Sequence, residues 1–147
     1  RKPGFDKPQL VFELACCMDC RQSMSESLSE ESREKIAAYF ETNCHVEKRD
    51  QELKKHDLLD TDIWLNNCIV KNKSMDKVDD YQVYALCWKD ELVFHQFPYM
   101  ICGESIDEIM NLLSNKSLDI LNDLMADLID LPPEFGEIFR DKKVLII

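Results

Sequence analysis

A chain of 147 residues and 17.3 kDa can bury a core of its own, and 45% hydrophobic against 32% charged residues places it outside disordered compositions. The formal net charge of −11, from 29 acidic and 18 basic residues, leaves no Lys/Arg surplus of the kind that phosphate backbones and anionic lipids require. No apolar run approaches the roughly 20 residues of a membrane-spanning helix, so neither nucleic acid nor a membrane is an expected partner.

Arg1 stands where an initiator Met would, the expected mark of a processed or truncated chain. Residues 1–8 carry two of the five prolines and read as an irregular lead-in to a single domain over residues 9–147. Residues 9–16 alternate as a strand, with Leu10, Phe12, Leu14 and Cys16 on one side. The strand runs into Cys17-Met18-Asp19-Cys20, and residues 20–24 read as a helical turn.

A helix is predicted over residues 28–42. Ser27 with Glu30 has capping-box spacing, Ser29 is an alternative cap, and Leu28, Ser32, Ile36 and Phe40 share the buried face. Residues 46–58 hold closely balanced charges and a thin stripe of Val46, Leu53 and Leu58, the pattern of an exposed helix. A short helix should follow Asp60 or Thr61 with Ile63, Trp64 and Leu65. Residues 68–70 suit a short strand.

Period-two patterning then marks residues 81–88 and 91–97 as a hairpin turning at Lys89-Asp90, although that turn lacks the usual glycine. Pro98 should end or kink the second strand, and residues 99–102 can extend the pairing beyond it. Ser105 with Glu108 predicts a helix over 105–114, and Ser117 or Asn115 should cap another over 118–130, stopped by Pro132-Pro133. Phe135, Ile138 and Phe139 suggest a short helix, and residues 144–147 a last, covered strand. The expected fold is therefore α+β: a small, mostly antiparallel sheet of residues 9–16, 81–88, 91–97 and 144–147, with helices packed mainly on one face.

Seven cysteines, an odd number in a chain that needs no disulfide staples, suggest reduced thiols in the cytoplasm, several of them core residues. Cys17 and Cys20 supply half of a zinc tetrahedron, for which Cys44, His45 and Cys68 are the candidate completing ligands without diagnostic spacing. The order of strand, Cys-x-x-Cys and helical turn resembles the active-site corner of thioredoxin-like proteins, where the helix dipole activates the first thiol. It departs from that pattern in its Met18-Asp19 pair, in the extra Cys16, and in Asp19, whose charge opposes thiolate formation. The plainer expectation buries Cys16 and one neighbour in the core.

Asp119, Asp123, Asp127 and Asp130 recur at helical spacing opposite a leucine-rich face, and residues 104–141 carry ten acidic against two basic residues. Like charges one turn apart repel, so a docking face for a protein with a basic or neutral surface is weighed against a solvated face. Three glycines rule out most phosphate-cradling loops, and no nucleophile elbow or metalloprotease motif appears. The sequence thus favours a non-enzymatic protein-binding or adaptor module without a cofactor; its alternative is a zinc-binding or redox site at Cys17 and Cys20.

Overall fold

The computed structural model describes residues 13–44, 46–56 and 59–128. In chain order the elements are α1 Met18–Ser27, α2 Glu30–Asn43, α3 Val46–Leu53, α4 Thr61–Leu65, β1 Tyr81–Tyr84, β2 Leu86–Trp88, β3 Glu91–Val93, β4 Tyr99–Cys102, α5 Gly103–Leu112 and α6 Asn115–Leu128. Helices and short antiparallel strands make a small α+β fold. Among the described residues, no helix is long and apolar enough to cross a membrane. The chain divides into two compact units, one of Tyr39–Ser105 and one that includes residues 13–38 and 106–128.

The first unit is built on a hairpin interrupted on one side. Leu86, Cys87 and Trp88 face Val93, Leu92 and Glu91, while Tyr81–Tyr84 pair with Tyr99–Cys102 in reverse order. One residue, Ala85, therefore lies opposite five, residues 94–98, and the ladder divides into two short ones. The predicted turn at Lys89-Asp90 is present, and Lys89 itself takes the positive φ of 56° that a glycine would usually supply. Pairing also resumes beyond Pro98, as the sequence suggests.

Residues 94–98 are held from outside the ladder. Arg49 of α3 donates to the carbonyls of Gln96 at 3.2 Å, Pro98 at 2.8 Å and Trp64 at 3.5 Å, and its guanidinium lies 5.0 Å above the Trp64 ring. Phe94 leans on the same indole at 5.4 Å. Trp64 sits on α4, whose first turn is capped by the Asp60 carboxylate accepting the Asp62 N–H at 3.0 Å. Cys68 and, from β4, Met100 and Cys102 form a buried cluster with Leu65, Val70, Met75, Val78 and Tyr81 packed against it. Residues 68–70 are a bridge and a turn instead of a strand: Cys68 pairs only locally with Met100, and Asn72 N–H closes back on the Cys68 carbonyl at 2.9 Å.

In the second unit, Met24, Leu28, Ile36, Ile109, Met110 and Leu121 are among the buried residues. Its helix starts depend on serines. Ser29 caps α2 by accepting the Ser32 N–H at 3.1 Å, and Ser114 caps α6 by accepting the Ser117 N–H at 3.1 Å. In an ordinary capping box the third helical side chain reaches back to its own cap N–H. Here the two helices exchange that bond: Ser114 N–H donates to Ser32 Oγ at 2.9 Å, and Ser29 N–H to Ser117 Oγ at 3.0 Å. Serine is shorter than the usual Glu, so it serves a neighbouring helix end more readily than its own.

Several sequence expectations are corrected. Residues 13–16 are not a strand: no ladder partner faces them among the described residues, and the backbone instead delivers Cys17 to the start of α1. The ambiguous turn at 20–24 is part of a ten-residue helix, supported by the Gln22–Glu26 side-chain bond at 2.9 Å. Ser27 lies in α1 and bonds the Ser23 carbonyl, leaving Ser29 as the α2 cap. Ser105 does not cap α5, which starts directly after β4 at Gly103; Ser117 and Asn115 yield the α6 cap to Ser114. Residues 1–12, the short helix near Phe135 and the strand at 144–147 lie outside the described residues.

Candidate functional site

Cys17 is the residue before the first turn of α1, extended at φ −72° and ψ 162°, and its Sγ accepts the Cys20 N–H at 3.4 Å. A thiol thus takes the place that a serine or aspartate side chain holds at other helix starts, beside the partial positive charge of the exposed N–H groups. Cys20 lies three residues on, in the first turn, so helix geometry returns its side chain to Cys17. Cys16, Cys17 and Cys20 are all exposed and free of disulfides. The expected burial of Cys16 and a neighbour is therefore overturned: among the described residues, no strand pairs with residues 13–16 to cover them.

The two thiols are electrostatically unequal. The Cys20 N–H, followed by a hydrogen bond from the Cys20 thiol, holds Cys17 below the ordinary thiol range; the Asp19 charge opposes this only weakly. Cys20 is pushed up, first by its hydrogen bond to Cys17 and then by the charge there. One proton shared between two sulfurs resides preferentially on Cys20. An exposed, activated sulfur with a second thiol within hydrogen-bonding reach has the two chemical parts of disulfide exchange, a nucleophile and a resolving group.

Cys17 and Cys20 belong to one unit, Cys44 and Cys68 to the other, and His45 lies outside the described residues. Cys44 is half-buried and its thiol is pushed up to about 11 by burial and by the neighbouring Cys68 charge, which disfavours the thiolate that zinc requires. Among the described residues, no three His, Cys, Asp or Glu side chains are grouped so as to hold a metal ion.

On α6, Asp119 and Asp123 are exposed and Leu121 is buried, the amphipathic division that the sequence suggests. Asp127 belongs to the same helix, and Asp130 lies outside the described residues. His95 is exposed, its N–H bonded to the Phe97 carbonyl at 3.1 Å. Neither the cleft beside Asp80, Cys102 and Glu104 nor the apolar hollow beside Leu53, Trp64 and Phe94 includes it.

Sequence reasoning misses one group altogether: Cys68, Cys102 and Ser105, brought together in the first unit with sulfur and oxygen atoms in mutual contact. The separation of Cys68 and Cys102 by 34 residues follows no motif, and in the sequence Cys68 reads as a candidate zinc ligand and Ser105 as a helix cap. No protein family, curated protein or solved structure matches this chain.

Proposed function

We propose that Cys17 and Cys20 form a thiol–disulfide exchange site acting on exposed disulfides. The carrying observation is the Cys17 sulfur at the N-terminus of α1, accepting the Cys20 N–H. Cys17 thiolate attacks one sulfur of a partner disulfide, forming a mixed disulfide and releasing the other sulfur as a thiolate that takes up a proton. Cys20 then loses its proton and attacks Cys17 Sγ, closing Cys17–Cys20 and releasing the second partner thiol. The partner gains two electrons and the dithiol loses two. A reducing, cytoplasmic setting, proposed with this reading, would return the pair to its thiol form.

Equilibration in glutathione buffers, followed by acid quenching and mass spectrometry, tests the reading. Cys20→Ser should accumulate a glutathione mixed disulfide at Cys17, whereas Cys17→Ser should lose exchange activity. Retention of full activity by Cys17→Ser, with Cys16 carrying it, would refute the assignment.

The exposed Asp119 and Asp123 favour a second reading, a docking face on α6 for a protein with a basic or neutral surface. Combined Asp119→Lys and Asp123→Lys substitutions should weaken capture of such a partner, most at low salt. Unchanged capture would dispose of the reading.

A further inference from the structure

The first unit contains a second dithiol, buried where Cys17 and Cys20 are exposed. Cys68 lies after α4 and Cys102 ends β4; they are only 2% and 1% exposed, within one buried cluster. Cys102 N–H donates to Cys68 Sγ at 3.2 Å. Ser105 Oγ lies 3.3 Å from Cys102 Sγ and 3.8 Å from Cys68 Sγ, bridging the two. Two thiols and a fully buried hydroxyl thus converge on one point.

We propose that Cys68 and Cys102 are a site of reversible disulfide formation, oxidised by a small hydroperoxide that enters beside Cys102. A cleft of about 70 Å³ reaches Cys102 between Lys77, Asp80 and Glu104. A water needs about 10–15 Å³ of such space, so hydrogen peroxide fits and a folded protein disulfide does not. The pair is thereby selective for small oxidants, in contrast to the open Cys17.

The surroundings also suit ionisation. Burial pushes Cys68 up, but the N–H groups of Cys102, Lys71 and Val70 together outweigh it and hold the thiol below its ordinary range. Burial is likewise the largest influence on Cys102, which stays high, so the two sulfurs share one proton unequally. The cleft meets Cys102, so the Cys102 proton first passes to Cys68; the Cys102 thiolate then attacks a peroxide oxygen, breaking the O–O bond, a sulfenic acid forms on Cys102, and the departing hydroxide is protonated to water. The second sulfur, giving up its proton, attacks that sulfenic sulfur. The S–S bond forms as the S–O bond breaks, and a second water leaves. Two thiols and one hydrogen peroxide yield one disulfide and two waters.

The new bond would tie the turn after α4 to the last residue of β4 and close a loop that contains the whole hairpin. It therefore constrains the unfolded chain as well as joining two parts of the core.

The test uses the full chain carrying Cys17→Ser and Cys20→Ser, so that its outcome is independent of the exposed pair. After hydrogen peroxide, alkylation in denaturant and trypsin, Cys68 and Cys102 fall on separate peptides, 56–71 and 90–116. The expected product is these two joined, separable by dithiothreitol and lost in Cys102→Ser, with a raised urea midpoint for the oxidised chain. Exposed Cys87 reports that oxidant was delivered. Recovery of both peptides fully alkylated while Cys87 is oxidised would overturn the proposal. So would preferential linkage of Cys68 to Cys44.

Discussion

Ser32→Ala gives the sharpest test of how the second unit is held. The Ser32 side chain is 1% exposed, accepts the Ser114 N–H at 2.9 Å and contacts the Ser29 hydroxyl at 2.8 Å. Alanine removes the acceptor at the start of α6 while leaving the Ser32 N–H bonded to Ser29, so α2 keeps its own cap. A lost hydrogen bond costs about 1 kcal/mol, and a buried donor left unsatisfied about 1–3 kcal/mol. Alanine recovers a few tenths of a kcal/mol through its higher helix propensity. A net destabilisation of about 2 kcal/mol follows, equivalent to roughly 4–8 °C in Tm for a chain of this size. Urea unfolding followed by circular dichroism measures it, with exposed Ser25→Ala in α1 as a control expected within about 0.5 kcal/mol of the parent. Ser117→Ala should mirror Ser32→Ala. The double variant should cost less than the two singles together, because both bonds belong to one network. A Ser32→Ala cost no greater than that of the control, or strict additivity of the pair, would refute the exchanged-cap account.

Alkylation of the parent chain with iodoacetamide should begin at Cys17 at a lower pH than at Cys20, because the Cys17 thiolate already accepts the Cys20 N–H before pH rises through the ordinary thiol range; equal profiles from peptide mapping would contradict the helix-start geometry. Arg49→Met should cost about 2–3 kcal/mol by leaving carbonyls at Gln96, Trp64 and Pro98 without their charged donor, and should speed hydrogen exchange in residues 94–98. Gly103→Ala would drive a methyl group into the Asp80 carboxylate; its cost of about 1 kcal/mol should shrink in an Asp80→Ala background, as a double-mutant cycle would show. Lys89→Gly should raise the urea midpoint, since an L-residue at φ 56° costs about 1–2 kcal/mol that glycine avoids, less its greater freedom when unfolded.

Features governed by neighbours in sequence were legible. The Asp60 cap, the amphipathic division of α6 and the buried run of Leu28, Ser32 and Ile36 all follow from helical spacing. The hairpin was legible for the same reason, since its turn and inner pairs are local. Its interruption was not: five residues opposite one arise because Arg49, 47 residues from Gln96, holds the extra backbone with its guanidinium. Helix starts failed where a serine had two uses. Ser105 has the spacing of a cap, yet its hydroxyl meets Cys102 and Cys68, while Gly103, pressed by Asp80, carries β4 directly into α5.

The two dithiols show why local pattern locates one thiol pair and misses the other. For Cys17 and Cys20 the spacing itself sets the geometry: three residues make about one helical turn, and a thiol at its start meets the N–H of the second cysteine. The alternation running into residues 13–16 misdirected the environment: among the described residues no strand pairs with them, and Cys16 is exposed. The motif survived that error since a helix start needs no sheet behind it. Cys68 and Cys102 have no such local geometry, and their contact depends on β4 passing the turn after α4. On the two proposals, exposure opens the first pair to disulfide partners, and enclosure limits the second to a small oxidant. Accessibility, which spacing does not encode, separates their chemistries.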